Sequence, residues 1–370
     1  LVTLERPFSI GPAPAPSRPT RLRLNAPAGF PNMDRTRERP VGLTRAVVAG
    51  RSVLVSLVDD LRHFLDDVLV LPRRVLLETP GVQATVPMLR GVWGAALHGL
   101  DQRVYQRVFA PASNGARPAD ARGQSPAPGY LIRPAPPDPQ FAPAMDWFLF
   151  GDAVRYECTL WRAWDVASGL GLGKRRQRFF LRQTRWLQPD GSPSARPAVW
   201  PLSHARWPLD PPETTSCRLV FPAPLRILHK KRLVERPQVP DLVAAAVRRV
   251  RAFLPPERWT AWDTVAKQAV ALAHATRCGP WHGHRLDLQR YSARQKAELE
   301  LRGVTGWLEL PQGPGPLWPL LLVGSWLHLG KGTVLGLGQL VVEPAEGRMD
   351  YDRTSQPGEN VSASRHQQKK

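Results

Sequence analysis

Two glycine-rich stretches, SGLGLGKRRQRFF at 168–180 and HLGKGTVLGLGQLVV at 328–342, bring tight turns and cations to the same place in the chain. Glycine lets backbone N–H groups approach a ligand closely, and a neighbouring lysine or arginine adds charge, a combination suited to phosphate. Lys174, Arg175, Arg176 and Arg178 belong to the first stretch, and Gly330, Lys331, Gly332, Gly336 and Gly338 to the second. Lys230 and Lys231 form a third basic cluster. His328 opens the second stretch, and histidine moves protons near neutral pH because its ordinary pKa is about 6.5. Tyr291, in RYSARQ, carries a hydroxyl that could position another hydroxyl, although a tyrosine in such a segment usually packs half-buried with its hydroxyl satisfied. One such loop would be weak, since most GxG turns bind nothing. Two at equivalent places are more specific.

Other chemistries fit less well. Cys278, His282 and His284 in RCGPWHGHRL lack the second ligand pair of a tetrahedral structural zinc site, so that segment is expected as a surface loop and no metal or other cofactor is expected. There is no G-x-S-x-G nucleophile elbow and no phosphate-loop lysine motif. Three scattered cysteines, Cys158, Cys217 and Cys278, make no disulfide framework. With no apolar signal segment at the start and no run long enough to span a bilayer, a soluble cytoplasmic protein without a membrane partner is expected.

These residues need a scaffold, and 370 residues with 42% hydrophobic positions and 13 Trp can build two cores. Fifty-one Lys and Arg against 31 Asp and Glu give a net charge of +20, which points to a polyanionic partner. Of the 40 prolines, 17 fall in residues 1–40 and 111–143, read as an extended lead-in and a long surface loop. Residues 53–71 repeat apolar positions at helical spacing. From 74 onward a strand (74–77), a helix (86–109), strands at 130–133 and 147–150, a helix near 159–167 and a strand ending near Trp186 follow one another. The second half repeats the theme: a strand at 218–227, a helix at 241–254 with Leu242, Val243, Val247, Val250 and Leu254 on one face, and an apolar helical stretch around 262–273. A strand at 306–310, a helix at 317–327 and the second glycine loop running into a strand complete it. Strand, helix, two strands, helix, strand is the split ferredoxin-like order.

Leu89-Arg90-Gly91, Leu149-Phe150-Gly151 followed by GLGLGKRR, the run LDLQRYSARQKAELELRGVTGWLEL at 286–310 and PLLLVGSWLHLGKGTVLGLGQLVV at 319–342 resemble the RAMP superfamily of CRISPR-associated proteins. More narrowly, residues 74–343 look like the sixth CRISPR-associated family, the endoribonucleases that process precursor guide RNA. The resemblance implies an α+β fold of two tandem ferredoxin-like domains with glycine-rich loops. The expected layout is a proline-rich, partly helical extension (1–70), a first domain (71–190), a linker (191–217), a second domain (218–343) and a polar tail (344–370).

It also implies a reaction. RNA cleavage without a metal needs a base for the ribose 2′-hydroxyl, an acid for the leaving 5′-oxygen and cations for the developing charge, and leaves a 2′,3′-cyclic phosphate. The family's catalytic histidine lies on or just after the first helix, where His98 is the histidine present, although AALHGL is no signature of the family. His328 and Tyr291 complete the candidate set. The lysines, arginines and glycines named above become the expected RNA-binding surface, with CRISPR repeat RNA as partner and other CRISPR-associated proteins as further partners. The alternatives are a non-catalytic subunit that holds guide RNA and an RNA-binding module joined to adaptation components.

Overall fold

The computed structural model describes residues 56–111, 127–136, 143–292 and 297–345, with side chains omitted for 288–301. The first domain runs β1 (Leu69–Glu78), α2 (Val86–Leu100), the short α3 (Gln102–Val104), β2 (Tyr130–Pro134), β3 (Ala144–Phe150), α4 (Glu157–Leu170) and β4 (Phe180–Leu187). Its antiparallel sheet has the order β2-β3-β1-β4-β5, where β5 is Pro193–Ser194. The second domain runs β7 (Cys217–Leu225), α5 (Val239–Arg251), α6 (Trp259–Ala275), β10 (His282–Ser292), β11 (Ala297–Leu310), α7 (Trp318–Leu327) and β12 (Val341–Pro344), with strand order β10-β11-β7-β12. Both are ferredoxin-like, the second with a two-helix crossover. The fold is α+β with two tandem ferredoxin-like domains.

Four features differ from the sequence-based expectation. The helix expected over 86–109 closes at Leu100, where Asp101 accepts hydrogen bonds from the N–H groups of Arg103 and Val104 and starts a new turn. Residues 191–217 are no simple linker: β5 (Pro193–Ser194) pairs with β4, β6 (Trp200–Pro201) pairs with β1, and Trp200, Leu202 and Ala205 are buried. The stretch around His282, expected as a surface loop, is a strand that pairs with β11 over eleven residues, from His282 opposite Trp307 to Ser292 opposite Ala297. Glycine and histidine at 282–284 mask its alternation. Residues 56–65, the helical part of the expected extension, form helix α1 as their spacing predicts, but Leu57, Leu61, Phe64 and Leu65 enter a core shared with the second domain, so the segment is no separate extension. Residues 1–55 and 346–370 lie outside the described residues.

The period of two along each strand explains the layering. Odd-numbered Met145, Trp147 and Leu149 of β3 join Trp93 of α2 and Trp164 of α4 in one core. Trp93 stacks on Trp164 with centroids 5.3 Å apart, and its indole donates to the Leu160 carbonyl. Even-numbered Phe148 and Phe150 point the opposite way and meet Trp326 of α7 and Phe253 after α5. The first sheet is therefore covered on both faces, once by its own helices and once by the second domain.

Asp146 is the polar exception in that strand. Fully buried, it accepts from Arg74 (2.8 and 3.2 Å) and Arg133 (3.0 Å), while Arg133 also donates to the Ser325 carbonyl of α7 at 3.0 Å. A buried carboxylate shared by two guanidiniums is tolerable only as a complete set. Asp146→Ala is expected to cost about 3–5 kcal/mol by leaving two largely buried cations unpaired, read as a lower midpoint in urea unfolding.

Candidate nucleic-acid interface

α2 starts where Thr85 accepts a hydrogen bond from the Met88 N–H, and Pro87 in its first turn needs no partner for a missing N–H. Both glycine loops lie against that turn. A Cβ placed on Gly173 would sit 3.5 Å from the Met88 side chain, and one on Gly336 would sit 3.4 Å from Val86. One loop comes from each domain, so the first turn of α2 is flanked on two sides.

Each loop has a fixed shape. In the first, Leu172 and Gln177 exchange backbone hydrogen bonds of 2.7 and 3.0 Å, and Gly171 at φ 74° passes so close to Arg176 that a Cβ would lie 2.3 Å from its carbonyl oxygen. Only glycine fits there. Lys174, Arg175, Arg176 and Arg178 are exposed, and no carboxylate among the described residues pairs with them. The neighbouring Arg182 is already paired with Glu78.

The second loop closes on itself: Leu329 N donates to Gly338 O (2.8 Å), Gly336 N to Thr333 O (2.9 Å), Gly338 N to Pro224 O (3.0 Å) and Lys331 N to Arg226 O (2.8 Å). At Gly338, φ 73°, a Cβ would meet Leu329 O at 1.9 Å. Gly330 bridges to Arg226, and Gly332 precedes the Thr333–Leu335 turn. These N–H groups are spent within the loop and on the Pro224 and Arg226 carbonyls at the end of β7. What the loop offers a phosphate is the exposed Lys331 side chain and a rigid close approach.

His328 is not available to solvent. It is fully buried, its Nδ1 donates to the Leu337 carbonyl at 3.0 Å, and Nε2 has no partner. Burial, with Arg133 and Arg249 nearby, holds its pKa well below the ordinary histidine value. It clasps the loop. His98 is exposed on the last turn of α2, edge-on to Tyr105 with centroids 4.9 Å apart. Twelve residues of helix place it about 18 Å from Val86 and the glycine loops. Tyr291 lies in β10 opposite Glu298, and its side chain is outside the described residues. His98 and the loop that His328 clasps lie at opposite ends of α2 and are not brought together.

Lys230 and Lys231 form the two-residue turn between β8 (Leu228–His229) and β9 (Arg232–Leu233), both at positive φ, 48° and 67°. Such turns favour Asn-Gly, so two exposed lysines there cost conformational energy and present charge. His282 and His284 of the weak metal candidate lie on one face of β10, His282 stacked 4.0 Å from Trp307. Among the described residues no three His, Cys, Asp or Glu side chains are grouped to hold a metal ion. Cys217 is buried, and burial pushes its thiol up to about 11, which makes it inert. No described helix is long and apolar enough to cross a membrane.

Sequence reasoning missed Asp146, Arg133 and Arg249, which hold the base of the second loop. The signal for Asp146 was present: one carboxylate in the apolar run AMDWFLF needs a buried cation.

Residues 219–340 match the family model of the CRISPR-associated endoribonuclease Cas6. That match spans the second domain. Residues 83–206 match a further family model described as an N-terminal domain. The chain is also similar to solved Cas6 structures. A Thermus thermophilus Cas6 is 12% identical with a TM-score of 0.45 over 74% of this chain and 98% of that one. A Cas6-RT-Cas1–Cas2 complex is 13% identical with a TM-score of 0.42 over 76% of this chain and 46% of that one. A Cas6-related protein from Pyrococcus furiosus is 9% identical with a TM-score of 0.38, over 74% and 98%. No curated protein matches the chain in sequence. At these identities the likeness to Cas6 rests on the family-model match over 219–340, and the topology on the strand orders above.

The clasp has a pH signature. An unfolded His328 takes up a proton near its ordinary pKa of about 6.5, while the buried ring resists it, so the unfolded state binds more protons below that pH. Stability from this group is intact at neutral pH and is lost as pH falls below about 6.5, at up to roughly 1.4 kcal/mol per unit. His328→Asn, whose amide can still donate to Leu337 and which does not titrate, is expected to flatten the melting temperature between pH 7 and 5 relative to the parent.

Proposed function

We propose that this chain binds the repeat of a precursor CRISPR RNA and cuts it without a metal ion. The 2′-oxygen attacks the adjacent phosphorus, the bond from phosphorus to the 5′-oxygen breaks, and a 2′,3′-cyclic phosphate remains. The base takes the 2′-hydroxyl proton, and an acid returns one to the leaving oxygen. The observation that carries this reading is the convergence of a glycine loop from each domain on the first turn of α2, with unpaired Lys174, Arg175 and Arg176 on one and Lys331 on the other. Cations around a rigid backbone concavity grip phosphates, and the family match supplies the cleavage chemistry.

In this scheme the loops hold the RNA backbone, with Arg178, Lys230 and Lys231 extending the basic path. His98, the accessible imidazole on the helix both loops lean against, is the acid or base. His328 acts through the loop as a positioning residue. The separation of about 18 Å places the cut phosphate away from the gripped ones. The same separation supports a second reading, a subunit that holds guide RNA and does not cut, in company with other CRISPR-associated proteins.

One set of assays decides. Purified protein with labelled repeat RNA in excess EDTA is expected to give a single cut with a cyclic-phosphate end. His98→Ala is expected to lose about 100-fold or more in single-turnover rate at saturating protein, with binding kept. Arg175→Ala, Arg176→Ala and Arg178→Ala together are expected to weaken binding to every RNA and to lower the slope of log affinity against log salt by roughly 0.7 per lost phosphate contact. Their saturated rate should survive. Binding without cleavage by the folded parent protein establishes the second reading, and an unchanged salt slope removes these arginines from the RNA path.

A further inference from the structure

An open cavity of about 590 Å³ lies at the opposite end of α7 from the glycine loop, lined by residues of α1, the 203–212 segment and the start of α7. Its chemistry is mixed in a particular way. Trp207 and Trp318 contribute two indoles with centroids 6.3 Å apart and planes at 66°, so they form a corner and do not stack. Arg62 from α1 lies 4.7 Å over the Trp318 ring, and Arg206, exposed, stands beside Trp207 in sequence and in the wall. His204 and Asp210 complete the polar rim. Glu213 accepts the Trp318 indole N–H at 3.2 Å and fixes that ring, and Ser203 donates to Asp66.

Trp318 is buried under Arg62 and forms the floor of the cavity, so the face on which a flat ring can stack is that of the half-buried Trp207. Guanidiniums at the rim suit a phosphate attached to that ring, and the N-terminal end of the ten-residue α7 adds positive potential. Asp210 can accept from a base N–H, including the N3–H of a uracil or 4-thiouracil ring. An aliphatic or simple aromatic ligand would make no use of the exposed Arg62 and Arg206, and a bare phosphate none of Trp207. The ten residues of α7 span about 15 Å, so an RNA strand gripped at the glycine loop has this cavity within reach of its unpaired flank.

We propose that the cavity lined by Arg62, Arg206, Trp207 and Trp318 is a subsite for one unpaired ribonucleotide of the bound RNA, with its base stacked on Trp207 and its phosphate at the guanidiniums. The proposal rests on the RNA-binding reading above. It concerns a place that neither the glycine loops nor the candidate catalytic residues include.

The test uses the full chain and repeat RNAs carrying 4-thiouridine at successive unpaired positions. Photocrosslinked peptides are mapped by mass spectrometry, and affinity is measured for RNAs with and without the single-stranded flank. One flank position is expected to crosslink to the 203–212 segment or to Trp318. Arg206→Glu, at an exposed position, is expected to weaken flanked RNA by about tenfold or more and to leave RNA lacking the flank unchanged. Trp207→Ala is expected to do the same by roughly 5- to 100-fold, the range of a lost base stack. Because Trp207 is half-buried, Arg62→Glu on the exposed face of α1 serves as the second variant if that one unfolds. Crosslinks at the glycine loops alone, with Arg206→Glu silent, overturn the subsite and leave the RNA-binding reading standing. No RNA binding by the folded parent overturns both. Saturable quenching of tryptophan fluorescence by uridine monophosphate, abolished by Arg206→Glu but without a flank crosslink, overturns the proposal in favour of a free-nucleotide site.

Discussion

The carbonyl end of α7 is where the two domains are tied together. Helix carbonyls in the last turn have no partner within the helix, and cations are favoured there. Two guanidiniums supply the partners: Arg133 from the first sheet meets Ser325 O, and Arg249 from α5 meets Leu327 O. The chain then turns at His328, φ 57°, straight into the glycine loop. Arg133 is balanced by Asp146, which Arg74 shares, so the loop's starting point is referenced to the middle of the other domain's sheet. Arg249 is fully buried, and burial lowers its guanidinium to about 10. It stays charged at neutral pH, over the Phe253 ring, where the helix carbonyls face it.

This anchoring separates two populations of arginine that composition alone merges. Arg73 stacks on Trp161 and Trp186 and pairs with Glu157, Arg133 lies over Phe148, and Arg251 lies over Trp259 and pairs with Asp263. Their charge is consumed in building the fold. The lysines and arginines at 174–178, 230–231 and 331 are exposed, and within the described residues no ion pair holds them. A net charge of +20 therefore understates the contrast between a neutralised interior and a concentrated basic rim.

The element order and both glycine loops were legible because they depend on local pattern: helical spacing in 86–100, alternation in strands, and glycines at positions where a Cβ has no room. The β10 strand was not, because His282, Gly283 and His284 carry too little apolar contrast to show a period of two. Nor was the contribution of 191–217, where β5 and β6 are two residues each and owe their pairing to strands already formed. His328 reads as a reactive residue from its neighbours in sequence. Its burial comes from Arg133, almost two hundred positions earlier, and from Arg249 on another helix, contacts that no local spacing encodes. The corner of Trp207 and Trp318 is invisible for the same reason.

A ferredoxin-like domain ordinarily keeps one sheet face open, which is what lets such domains be strung together as interchangeable beads. Here the first sheet has surrendered that freedom, since Phe148 and Phe150 are sealed by Trp326 and Phe253. A piece cut at the boundary would expose a sheet of aromatic side chains around an ion cluster missing one of its backbone partners. The heritable unit is accordingly the pair, and rearrangements that join this protein to other sequences must do so at its ends and not at the seam between its two similar halves.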